Sequence, residues 1–177
     1  MNAPDTLHPA DKALSAVNLP PEFASALQVI HQQLAGKDIE WAITGSLGFA
    51  LQGVAVEVHD IDIQTDASGA YAVEACLAEY TLEKVAFKES ARIQSHFGSL
   101  QIGSVRVEIM GGLQKLLANG EWEAPVEISP HRQWVEYQHL RLPVLSLAYE
   151  YQAYLAMGRH GKARLLEQHL ARTKEKA

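Results

Sequence analysis

Apolar positions along the chain follow two periods, one helical and one of two residues, and together these assign most of it. Pro20-Pro21 opens a helix whose apolar stripe is Phe23, Leu27, Ile30 and Leu34, ending near Gly36. Ile39, Trp41 and Ile43 alternate with Glu40, Ala42 and Thr44, the pattern of a half-buried strand. Gly45-Ser46 leads into a short helix through Leu47, Ala50 and Leu51, stopped at Gly53. Ile61 and Ile63 mark a second strand, and Val73, Cys76, Leu77 and Tyr80 fall on a longer helix over residues 69–80. The stretch from Leu100 to Ile109 predicts a hairpin turning on Gly103-Ser104, since glycine first suits a two-residue turn. That register sets Ile102 against Val105 and Leu100 against Val107 on an apolar face. Gln101 then faces Arg106, and Ser99 faces Glu108, on the polar one.

Residues 125–129 and 133–142 suit strands, with Pro130 and Pro143 as breaks. Ser146 caps a helix carrying Leu147, Tyr151, Tyr154 and Leu155; Gly158 interrupts it, and a basic last helix follows. Strands and helices intermingle, so the expected class is α/β (α+β): a small mixed sheet flanked by helices, with further helices at the C-terminus. Residues 1–19, polar and carrying Pro4 and Pro9, read as a flexible lead-in. Residues 20–142 form the expected core, and 143–177 a C-terminal helical segment of the same domain.

Composition narrows the function. A chain of 177 residues, 47% apolar, buries close to about 70% of its unfolded surface and needs neither metal nor disulfide to fold. Cys76 is the sole cysteine, which excludes an internal disulfide and a multi-cysteine zinc site; its helical spacing suits a core thiol. No apolar run is long enough to span a membrane. Met1-Asn2-Ala3-Pro4-Asp5 lacks the marks of an export signal, so a cytoplasmic location is expected. A net charge of −6 argues against general nucleic-acid binding, which needs a basic surface. The acid is uneven: residues 1–110 hold 6 basic and 14 acidic side chains, against 9 and 7 in 111–177.

Some of that acid has a chemical pattern. On a strand, Asp60 and Asp62 project to one face while Ile61 and Ile63 anchor the other. Two carboxylates so close repel unless a cation lies between them, and a hard divalent ion, Mg²⁺ or Mn²⁺, answers that need. Gly45 and Ser46 stand at a strand-to-helix junction, where backbone N–H groups and the helix dipole favour phosphate. Glu108 lies on the polar face of the hairpin; if that strand neighbours Asp60 and Asp62, three carboxylates can hold two metal ions about a phosphoryl group. A calcium loop does not fit, because Ile61 and Ile63 are apolar and the turn glycine is missing.

These motifs, Ile43-Thr44-Gly45-Ser46, Asp60-Ile61-Asp62-Ile63 and Val107-Glu108-Ile109, resemble those of the nucleotidyltransferase superfamily typified by DNA polymerase beta. Within it the chain looks most like small bacterial lincosamide and aminoglycoside nucleotidyltransferases, through Leu142-Pro143-Val144-Leu145-Ser146 and Gly158-Arg159. The resemblance spans roughly residues 39–165. It implies transfer of a nucleoside monophosphate from a metal-bound nucleoside triphosphate to an acceptor hydroxyl, with release of pyrophosphate. In that reading Asp60, Asp62 and Glu108 are catalytic and hold the metal. Gly45, Ser46, Arg159 and Lys162 bind the nucleotide's phosphates. The acceptor is a small molecule or a macromolecule. Tyr154 stands where relatives often carry lysine, and Lys162 near where they carry aspartate, so Arg159 or Lys162 must replace the missing cation. A non-catalytic binding module, an antitoxin-like partner or a nucleotide sensor, is the alternative.

Overall fold

The protein is described by a computed structural model covering residues 17–175. Most of the lead-in expected over residues 1–19 lies outside the described residues; Leu19 is buried in the core. A seven-stranded mixed sheet in the order β3-β4-β5-β2-β1-β7-β6 organises the fold. Its strands are β1 (Trp41–Thr44), β2 (Ile61–Thr65), β3 (Thr81–Glu89), β4 (Ile93–Ile102), β5 (Val105–Lys115), β6 (Arg132–Tyr137) and β7 (Leu140–Leu145). The helices are α1 (Pro21–Leu34), α2 (Gly45–Leu51), α3 (Ala67–Cys76), α4 (Leu147–Ala156) and α5 (His160–Glu175). The class is mixed α/β, as expected, though the sheet is larger than the pattern implied. No helix among the described residues is long and apolar enough to cross a membrane.

The main core packs α1 and α3 against the sheet. Phe23, Leu27 and Ile30 of α1 and Val73 of α3 meet Ile43, Ile61, Ile63 and Ile109. A second cluster joins α2, α4 and α5 through Phe49, Leu147, Tyr154 and Leu166. Cys76 is half-buried at the margin of the main core. The hairpin forms in the expected register, Ile102 opposite Val105 and Ser99 opposite Glu108.

Five expectations are corrected. β1 is buried along its whole length, not half-buried, because it is a central strand: Ile43 packs in the main core and Ala42 against Ile128 and Leu145. Residues 125–129 form no strand; Val126 N–H donates to Leu113 O at 2.9 Å, and Ile128 is buried from a loop. The stretch 133–142 is two strands, β6 and β7, turning at Gln138 and His139, both at positive φ. Pro143 sits inside β7, where the ladder to β1 is a single pair, Ile43 with Val144. The helix expected over 69–80 starts earlier, capped by Asp66, whose carboxylate accepts from Gly69 N–H, and ends at Cys76 before a 3₁₀ turn over Ala78–Tyr80.

Candidate active site

Strand pairing brings the acids together. Asp62 lies opposite Thr44 on β1 and opposite Glu108 on β5, so one row crosses three central strands. Asp60 precedes β2 on the same side, while Ile61 and Ile63, fully buried, hold the other face to the core. Carboxylate oxygens of Asp60, Asp62 and Glu108 all lie within 4.8 Å of one another, each residue half-buried. Arg106, two residues before Glu108 on the same face, donates from Nε to Glu108 Oε1 at 3.0 Å.

Electrostatics follow from that crowding. Burial first, then the charges of Asp60, Glu108 and Glu150, push the Asp62 carboxyl up to about 7, against a pull downward from Lys162. Three carboxylates of this kind are a donor set that suits a hard divalent cation, which would lower the repulsion they impose on one another. The neighbouring backbone is shaped to the acid. Gly45 takes φ +66, and a Cβ there would meet Asp62 Oδ2 at 2.5 Å, so only glycine lets β1 turn into α2 against this carboxylate.

Glu150 of α4, which the sequence pattern did not single out, completes the turn. It is 3% exposed, and its Oε1 accepts from Gly45 N–H at 3.2 Å and from the Thr44 hydroxyl. Burial pushes its carboxyl up to about 7, opposed by those two hydrogen bonds and by Lys162 and Lys115. The amide of Gly45 is thus directed at Glu150, while Ser46 lines the cleft beside the acids. A sequence signal for Glu150 did exist: it falls three residues after Leu147 and four before Tyr154, an acid on the buried stripe of a helix.

Two cavities meet at the acids. The larger, about 520 Å³, is walled by Ser46, Asp60, Asp62, Glu108, Arg159 and Lys162, among others. The smaller, about 210 Å³, runs under α4 and is walled by Asp62, Gln64, Glu108, Lys115, Tyr149 and Glu150, among others. Arg159 and Lys162, expected at a phosphate, both come to the larger cavity. Their charged ends lie 5.5 and 5.6 Å from the centre of the Tyr154 ring, which is itself buried. All seven residues expected at the site, Gly45, Ser46, Asp60, Asp62, Glu108, Arg159 and Lys162, therefore border one cleft. Gln64, Lys115 and Tyr149 join Glu150 as site residues that the sequence pattern missed.

The chain is similar to known proteins over nearly all of its described length. The family model described as aminoglycoside-2''-adenylyltransferase matches residues 26–170. A crystal structure of a candidate nucleotidyltransferase from Thermotoga maritima shares 48% identity at a TM-score of 0.78, covering 88% of this chain and 96% of its own. The lincosamide antibiotic adenylyltransferase LnuA, bound to lincomycin, shares 13% identity at a TM-score of 0.51, over 84% of this chain and 96% of its own. ANT(2'')-Ia in complex with adenylyl-2''-tobramycin shares 12% at 0.55, over 86% and 91%. At those last two identities the likeness is one of fold. None of the curated proteins matches the chain significantly.

Proposed function

The chain belongs to the aminoglycoside-2''-adenylyltransferase family, and from that premise we propose that it transfers a nucleoside monophosphate from a nucleoside triphosphate to an acceptor hydroxyl, releasing pyrophosphate. The observation that carries the reading is the convergence of Asp60, Asp62 and Glu108 at one end of a cleft that also holds Ser46, Arg159 and Lys162.

Asp60 and Asp62 would hold the divalent cations, Mg²⁺ or Mn²⁺, and Glu108 would complete the set on the acceptor side. Bound there, a divalent cation supplies charge neutralisation at the phosphates and acidifies the attacking hydroxyl. The residues of the chain do the rest. Ser46 receives the terminal phosphates beside the turn at Gly45, whose own amide is held by Glu150, and Arg159, just before α5, and Lys162 in its first turn neutralise them. The acceptor oxygen bonds to the α-phosphorus as the bond from that phosphorus to the bridging oxygen breaks, and pyrophosphate leaves. Glu108 takes the acceptor's proton, and Arg106 steadies its carboxylate beforehand. Tyr154 carries no charge, but Arg159 and Lys162 both lie beside its ring, so the cleft keeps cations at the position where the sequence departs from its relatives.

Calorimetry with ATP and Mg²⁺, paired with transfer of α-labelled ATP, tests the reading. Wild type is expected to bind, and the Asp60→Ala/Asp62→Ala protein to lose binding by more than about 100-fold. Equal binding by the two proteins ends the metal–nucleotide proposal. Binding without label ever reaching an acceptor supports the alternative, a non-catalytic nucleotide-binding module.

A further inference from the structure

The two edges of the sheet are built differently. β3 closes one side with Lys84 and Lys88 exposed, and its register against β4 shifts between Thr81 and Glu83 and again between Glu83 and Ala86. Bulges and lysines are the devices that keep an edge from pairing. β6 closes the other side in an unbroken register, from Arg132 opposite Leu145 to Tyr137 opposite Leu140, and no further strand lies beside it among the described residues. We propose that β6 pairs antiparallel with β6 of a second copy of this chain, about a two-fold axis at Trp134, and so joins two sheets into one.

Half of the backbone groups of β6 face away from β7. A two-residue hairpin turn closes on a pair that exchanges N–H···O bonds, and such pairs alternate along the ladder. The turn here is Gln138-His139, so Tyr137, Val135 and Gln133 direct their backbone groups to β7. His131 falls in the same phase, and its carbonyl accepts from Ser146 N–H at 2.8 Å. Glu136, Trp134 and Arg132 therefore turn their N–H and C=O groups outward, to the open edge. An axis at Trp134 sets these three residues against one another. Trp134 lies opposite its own copy, Arg132 lies opposite Glu136 of the second chain at both ends, and each outward group gains a partner.

The side chains select that register. Arg132, Trp134 and Glu136 share one face of β6, while Val135 and Tyr137 on the other pack in the main core. Trp134 is 48% exposed, and the guanidinium groups of Arg132 and Arg141 lie 5.2 and 4.7 Å from the centre of its ring. Neither Arg132 nor Glu136 has an ion-pair partner among the described residues. Across the axis the two tryptophans meet, and opposite charges face each other on both sides of them. Moving the axis one residue, to Gln133 or Val135, sets Glu136 against Pro130 or Trp134 and loses both ion pairs. The acids of the cleft lie at β2 and β5, inside the sheet and away from the joined edge. A strand pair buries less than the roughly 800 Å² per partner of a standard interface, which sets the affinity in the micromolar range.

Sedimentation velocity of the full chain from about 1 to 500 µM should show a monomer–dimer equilibrium with a dissociation constant of about 1–100 µM. Arg132→Glu and Glu136→Arg each set like charges across the axis and should weaken dimerisation at least about tenfold. Mixed in equal amounts, the two variants should dimerise as wild type does, because the mixed pair restores opposite charges at both ends. In wild type, amide exchange at Arg132, Trp134 and Glu136 should slow at least about threefold over the same concentration range. Melting curves report folding, and the wild-type exchange decides if a variant does not fold. A monomer at every concentration overturns the proposal: slow outward amides then mean that residues 1–16 of the same chain cover the edge, and fast ones that it is open to an extended segment of another protein. A dimer that either folded variant leaves within twofold of wild type overturns it too, as does a mixture that dimerises no better than its components.

Discussion

Asp62 concentrates the physics of the site in one side chain. Its carboxyl sits against a glycine, beside two other acids, and is pushed up from 3.8 to about 7, chiefly by burial. A carboxyl raised on folding binds its proton more tightly in the native state than in the unfolded one. Stability from this group is therefore complete below about pH 4 and is lost as pH rises through about 7. Asp62→Asn should raise the melting temperature of the metal-free protein at pH 8 and flatten its fall between pH 5 and 8, while reducing transfer more than about 100-fold. Thermal melts across that range, with and without EDTA, check the first part. Gly45 is the matching backbone position. Gly45→Ala places a Cβ into Asp62 Oδ2 at a positive φ and should cost more than about 1 kcal/mol, read as a lower urea midpoint. An unchanged midpoint would show that the turn relaxes freely and that its geometry is not set by the acid.

At the scale of elements, α4 is the part that ties the C-terminal helices to the catalytic strands. Ser146 caps it, accepting from Tyr149 N–H at 3.2 Å, and Glu150 one turn later bonds Thr44 and Gly45. The start of this helix thus sets both the turn at the end of β1 and one wall of the smaller cavity. Ser146→Ala should cost about 1 kcal/mol and speed amide exchange over the first turn of α4, from Leu147 to Glu150, without altering exchange in β2 or β5. Exchange that rises equally in those strands would mean that the cap supports the whole sheet. The hairpin of β4 and β5 was legible because a Gly-Ser turn and clean alternation leave one register. β3 was not: it is an edge strand with Val85 as its one buried residue and register shifts on either side of Glu83, so no period survives to be read.

Over the whole molecule, the uneven charge acquires a place. Three of the 14 acids in residues 1–110 gather at one end of the sheet, and the more basic remainder of the chain sends Arg159 and Lys162 to the same cleft. A ligand carrying both divalent cation and phosphate meets opposite charges on its two sides. The Mg²⁺–ATP complex, at about 100 times its dissociation constant, should stabilise the fold by roughly 3 kcal/mol through mass action, a rise of about 5–10 °C in melting temperature. The gain should be larger at pH 8 than at pH 6, because Asp62 must lose its proton to accept a cation. Differential scanning fluorimetry at both pH values measures it, and an equal gain at the two would separate Asp62 from cation binding.

The sequence by itself determined the two strands and the hairpin register, and singled out Gly45, Ser46, Asp60, Asp62 and Glu108 as candidates, because each rests on local spacing: a period of two, a turn glycine, a strand-to-helix junction; Arg159 and Lys162 came from the family resemblance. It also placed Glu108 on the polar face but left its neighbour open. Only the tertiary structure decided that β5 runs parallel beside β2 with Glu108 opposite Asp62, because strands far apart in sequence become neighbours only when the sheet assembles under α1 and α3. The same is true of the smaller cavity. Gln64, Lys115, Tyr149 and Glu150 come from three distant parts of the chain, and packing in three dimensions, with no periodicity along the sequence, turns them toward one space.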